Sequence, residues 1–121
     1  MDFRLTPEQE ALKKGFDGFF DEVMKGAPPS WVGGLEDMFG PEGFPFCQGV
    51  ERKLAEKGWL VCHWPTEYGG TGYGIIEQLI RSESAGFRHA PTGDIFGIGM
   101  IGPTLMVAGN EEQKKENLHY I

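Results

Sequence analysis

The 121-residue sequence has little of several things, and each shortage removes a class of function. Cysteine occurs twice, at Cys47 and Cys62, without a Cys-x-x-Cys pair. That excludes a disulfide scaffold and a thiolate zinc site and leaves two free thiols. Cations are scarce: 11 Lys and Arg against 18 Asp and Glu give a net charge of −7. The basic excess that draws a protein to nucleic acid or to an anionic membrane is missing. No apolar run approaches the ~20 residues of a bilayer span, and Met1-Asp2-Phe3-Arg4 begins neither a signal peptide nor a lipidation site. A cytoplasmic protein is the expectation.

What is present is an ordinary globular balance, 40% hydrophobic and 24% charged, in a length that suits one domain with one core. Glycine (19) and proline (8) are abundant, so individual glycines call for local explanations. Thr6-Pro7-Glu8-Gln9 carries four devices of a helix start: a capping threonine, proline at the first position, an acid at the positive dipole end, and a glutamine that closes a capping box. Leu12, Phe16, Phe19, Phe20 and Val23 then recur at steps of three and four, which predicts one apolar stripe on a helix reaching about Lys25.

Between Gly26 and Gly49, repeated Gly and Pro predict a long loop whose Trp31, Phe39, Phe44 and Phe46 pack down onto the domain or meet a partner. Val50, Leu54 and Trp59 mark a short amphipathic helix ended by Gly58. Leu60 to Trp64 reads as a buried extended stretch stopped by Pro65. Ile75, Ile76, Leu79, Ile80 and Phe87 predict the buried stripe of another helix, with Glu77, Arg81 and Glu83 on its wet face. Asp94 to Ala108 reads as a buried, glycine-bearing helix capped by Gly109. Asn110-Glu111-Glu112-Gln113 repeats the capping box for a last one. No repeat and no alternating strand pattern appears, so the expected class is all-α: an orthogonal or up-down bundle of about five helices with a long Gly/Pro-rich loop.

Residue types alone make no complete active site. The run Gly69-Gly70-Thr71-Gly72-Tyr73-Gly74 lacks the phosphate-loop spacing and any preceding strand, and reads as a turn. His63, His89 and His119 lie at no metal-binding spacing. Cys62 and His63, adjacent in an extended stretch, point apart and do not form a thiolate–imidazole pair.

Four blocks in one order change the weighing: residues 1–9 (MDFRLTPEQ), Leu54-Ala55-Glu56-Lys57-Gly58-Trp59, Trp64-Pro65-Thr66-Glu67-Tyr68-Gly69-Gly70, and Gly102-Pro103-Thr104-Leu105 leading to Gly109-Asn110-Glu111-Glu112-Gln113-Lys114-Lys115. Together they resemble the amino-terminal helical domain of the acyl-CoA dehydrogenase family, over nearly all of residues 1–121. Phe87-Arg88-His89-Ala90-Pro91 resembles a branch that handles bulky or cyclic acyl groups.

The resemblance implies a flavoenzyme of three parts, of which this is the first; a middle β domain and a carboxy-terminal helical domain hold FAD, and the piece alone is inactive. It implies oxidation of an acyl-CoA thioester to the 2-enoyl-CoA, by a glutamate outside this domain that takes the α proton and a flavin that takes the β hydride. Electrons leave to an electron-transfer flavoprotein, and the enzyme is a homo-oligomer. The resemblance assigns the catalytic glutamate and most flavin contacts to no position in this chain. By the same resemblance Gly93, Phe96, Met100 and Pro103 wall the acyl pocket and contact the acyl-CoA substrate. Two alternatives stay open: a stand-alone helical interaction module whose loop aromatics meet a partner, and a monooxygenase on the same scaffold.

Overall fold

The computed structural model describes residues 4–121; Met1, Asp2 and Phe3, which open the first of the four blocks, lie outside the described residues. The described residues form helices joined by turns and loops, with no strand: α1 (Pro7–Met24), α2 (Leu35–Phe39), α3 (Gly43–Glu56), α4 (Ile75–Phe87), α5 (Gly102–Ala108) and α6 (Glu111–Asn117). The all-α expectation holds.

Local capping chemistry sets several ends as predicted. Thr6 Oγ1 accepts from Gln9 N–H at 3.2 Å while Gln9 Oε1 accepts from Thr6 N–H at 3.0 Å, so the box at the start of α1 is closed in both directions. Asn110 and Gln113 close the same box before α6. At the end of α3, Trp59 N–H reaches Leu54 O and Gly58 N–H reaches Ala55 O, with Gly58 at φ +69°. This is the paired cap that favours glycine in the left-handed region. The end of α4 repeats it with His89, at φ +53°, in the glycine position. Gly109 differs from expectation: its backbone is extended, and it is needed because a Cβ there would lie 2.6 Å from Leu105 O.

The stripe of α1 is buried as predicted, with Phe16, Phe19, Phe20 and Val23 packed among Val50 and Leu54 of α3 and Ile80 and Ala85 of α4. Trp59 stands against both Phe16 (4.6 Å between ring centroids) and Phe19 (5.7 Å). Each fully buried Phe or Leu here contributes ~1.5–3 kcal/mol of transfer energy. A polar seam closes the α1–α4 contact: Asp17 accepts from Ser84 Oγ at 2.6 Å and Arg88 Nη1 at 3.1 Å, and Asp21 from Arg88 Nε at 2.6 Å.

Three expectations are corrected. The long loop is shorter than predicted, because α2 lies inside it and α3 begins at Gly43 rather than near Val50. Pro45 sits in the first turn of α3, where backbone N–H groups have no intrahelical acceptor and a proline removes nothing. Within the loop, Trp31 packs on Phe46 at 5.1 Å and donates its Nε1–H to His89 O at 2.9 Å, while Phe39 and Phe44 stay exposed. Leu60 to Trp64 is turned rather than extended, closed by Trp64 N–H on Val61 O. Cys62 and His63 therefore occupy a turn; both cysteines are buried and free, and burial pushes their thiols up.

The largest correction concerns α4. Its buried residues are Ile80, Arg81, Ser84 and Ala85. Ile75 (79% exposed), Leu79 (61%) and Phe87 (85%) lie on its open face, as does Ile76. Arg81, predicted on the wet side, is inside. Packing against the aromatic stripe of α1 selects the small Ser84 and Ala85 for close approach and leaves Ile75, Ile76, Leu79 and Phe87 outward.

Candidate functional site

The segment that carries the predicted acyl-wall residues is built around a wide helical turn. Asp94 starts it, its Oδ1 accepting from Phe96 N–H at 3.0 Å and its Oδ2 from Gly97 N–H at 2.9 Å. From Gly97 to Ile101 the backbone is a π-helix, with Ile101 N–H on Phe96 O at 2.8 Å and Gly102 N–H on Gly97 O. The π ladder stops there for a covalent reason: Pro103 has no N–H to continue it. Two carbonyls of the wide turn accept from side chains. Trp64 Nε1–H reaches Ile98 O at 3.2 Å, and Thr104 Oγ1 reaches Met100 O at 2.7 Å.

Glycines make room for this arrangement. A Cβ on Gly102 would stand 2.2 Å from the Trp64 ring, and one on Gly70 would stand 1.9 Å from Trp64 O. Gly69 (φ +88°) and Gly72 (φ +64°) turn the chain back so that Gly72 and Tyr73 donate to Trp64 O and Cys62 O. The Trp-Pro-x-Glu-Tyr-Gly-Gly block is thus a device for seating one indole against the π turn. The glycine run is spent on its own backbone contacts.

The four predicted wall residues are not on one α-helical face. Gly93 precedes the π turn at φ +130°. Phe96 and Met100 are more than half exposed, joined across the turn by Met100 N–H on Phe96 O at 3.3 Å. Phe96 also stacks on Phe39, with centroids 6.2 Å apart and planes 29° apart. Pro103, half-buried, follows in α5. The predicted buried helix over Asp94 to Ala108 is accordingly corrected: Ile98 is buried, whereas Ile95, Phe96, Met100, Ile101 and Val107 are open. A π turn advances more backbone per hydrogen bond than an α turn, so α-helical spacing misplaces side chains across it.

Behind this segment lies a cavity of about 420 Å3, walled by Trp31, Leu60, His63, Arg81, Gly93 and Ile98 among others. Of the four predicted residues only Gly93 reaches it. His63 is held below the ordinary imidazole range, first by burial and then by Arg81. Arg81, 8% exposed, is the polar side chain that sequence reasoning missed; its Nη2 donates to Thr92 O at 2.7 Å. Nothing in a helical charge pattern distinguishes a buried Arg from a solvated one. Among the described residues no group of three His, Cys, Asp or Glu is placed to hold a metal ion, and no helix is long and apolar enough to cross a membrane.

Comparison with known proteins agrees with these features. Residues 6–121 match the family model for the acyl-CoA dehydrogenase N-terminal domain. Acyl-CoA dehydrogenase FadE26 of Mycobacterium tuberculosis is 30% identical over 110 residues, 91% of this chain and 27% of that protein. The ChsE4-ChsE5 complex from the same organism superposes with a TM-score of 0.73 at 30% identity, covering 98% of this chain and 28% of that one. A solved protein named Tcur3481-Tcur3483 steroid ACAD gives 0.69 at 30% identity, covering 98% and 29%. The chain spans about a quarter of the length of its relatives. From Thr6 to Ile121 it belongs to the acyl-CoA dehydrogenase family, as the amino-terminal helical domain.

Proposed function

We propose that residues 1–121 form one wall of the acyl pocket in a flavin-dependent dehydrogenase that oxidises an acyl-CoA thioester to the 2-enoyl-CoA. The observation that carries this reading is the exposed Phe39–Phe96–Met100 surface, held in place by a π turn that Trp64 fixes from behind. Large apolar side chains kept outward on a rigid turn suit an apolar ligand, and the Met100 thioether adapts to different chain shapes. Pro103 continues the wall and Gly93 bounds its far side. The solved neighbour named as a steroid ACAD, together with Phe87-Arg88-His89-Ala90-Pro91, supports a bulky, polycyclic acyl group.

In this reading a middle β domain and a carboxy-terminal helical domain belong to the same protein and hold FAD, which supplies hydride acceptance when bound. In the glycine run Gly70 is packed against the Trp64 carbonyl and the Gly72 and Tyr73 N–H groups are spent on Trp64 O and Cys62 O, so no flavin contact is assigned to it. The open face of α4 is the surface those domains cover. An electron-transfer flavoprotein takes the electrons, and the protein works in the cytoplasm as an oligomer; the two solved neighbours, each named for a pair of components, support assembly with further chains.

The test uses the whole protein. It is expected to purify yellow and to bleach when an acyl-CoA is added without oxygen. A yellow protein that is not bleached, and turns over only with oxygen, overturns the reading in favour of a monooxygenase. Phe96→Ala is expected to broaden the chain-length preference; an unchanged profile removes Phe96 from the wall.

A further inference from the structure

Arg81 is the one buried cation of the described core, and its surroundings lack what a buried cation needs. Lys13, Lys25, Arg88 and Lys114 form ion pairs, whereas Arg81 has none among the described residues. Its Nη2 reaches two carbonyls, Thr92 O at 2.7 Å and Leu60 O at 3.5 Å, while its Nε is buried without a hydrogen-bond acceptor. The acid sharing the cavity wall, Asp94, has both carboxylate oxygens occupied by backbone N–H groups. A desolvated guanidinium without a counter-charge is costly, and its planar fork of donors matches a carboxylate in particular.

The space beside it is suited to something other than an ion alone. The cavity of about 420 Å3 falls within the ~300–1,000 Å3 of small-molecule sites, and Leu60, Ile95 and Ile98 give it an apolar side next to the cationic one. His63, walling the same cavity, adds a polar group beside the guanidinium. We propose that this cavity takes an amphipathic carboxylic acid, its carboxylate on Arg81 and its apolar body along Leu60, Ile95 and Ile98. The site meets the acyl wall only at Gly93, since Phe96, Met100 and Pro103 do not line it, and the proposal does not depend on dehydrogenation.

Hexanoate is the probe, with hexanamide as its neutral counterpart of the same shape. In the whole protein, titration followed by the Arg81 side-chain Nε–H resonance is expected to show a saturable shift with hexanoate, and at least tenfold weaker binding of hexanamide. Arg81→Met is expected to abolish hexanoate binding while helical content is retained. If that variant fails to fold, the two-ligand comparison on the unaltered protein decides alone. An Arg81 resonance that hexanoate does not move, or equal affinity for acid and amide, overturns the proposal.

Discussion

The two faces of α4 are the reverse of an ordinary amphipathic helix. Its inner face, against the aromatic stripe of α1, presents Ile80, Ser84 and Ala85 together with a cation; its outer face presents Ile75, Ile76, Leu79 and Phe87 to open space. The difference shows that burial on α4 follows local fit rather than hydropathy. Phe16 and Phe20 already fill the α1 side, so the partner helix must be thin there and hydrogen-bonded at Ser84. Its bulky residues are left exposed on the opposite face.

Truncations on the two sides separate that account from a merely loose helix. Leu54→Ala, inside the cluster that the inner face completes, is expected to cost ~2–5 kcal/mol, whereas Leu79→Ala on the outer face stays within ~0.5 kcal/mol. Urea midpoints of the 121-residue chain check both, and equal losses would erase the distinction between faces. In the whole protein the Leu79 change is expected to become costly.

Gly102→Ala is next in size. Its Cβ would stand 2.2 Å from the Trp64 ring, and overpacking of this kind costs ~1–3 kcal/mol. Displacement of the indole is read from tryptophan fluorescence, and an unshifted spectrum would dissociate Trp64 from the π turn.

The α1–α4 seam makes the inner face sensitive to acid. Asp17 is held below the ordinary aspartate range by hydrogen bonds from Lys13 and then Ser84, and Asp21 by its bond from Arg88. The folded state therefore binds these protons less readily than the unfolded one. Their stabilisation is complete above the unfolded aspartate value of about 4 and is lost as pH falls through the lower folded values. Stability between about pH 5 and pH 2 is expected to fall less steeply in Arg88→Ala than in the unaltered chain. Parallel curves would show that the seam carries no such linkage.

The smallest effect is a gain. Nothing lies within 4 Å of a Cβ placed on Gly18, inside α1, so Gly18→Ala is expected to stabilise by ~0.5–1 kcal/mol. A loss in the thermal midpoint would mean that the backbone of α1 needs that glycine.

Within the candidate site, Gly97, Gly99, Gly102 and Pro103 were visible in the sequence as poor helix formers, yet the π turn they produce was not. Its form depends on Trp64, 34 residues from the carbonyl it satisfies. Arg81 was likewise indistinguishable from a solvated residue until Leu60, Thr92 and His63 closed around it.

The sequence by itself determined the helix starts at Thr6 and Asn110, the cap at Gly58 and the apolar stripe of α1, because each rests on groups three to five residues apart or on one helical period. Only the tertiary structure decided which face of α4 is inside, where the wide turn stands and what encloses Arg81. Those outcomes depend on which distant groups compete for the same space and the same hydrogen bonds, and chain separation carries no information about that competition.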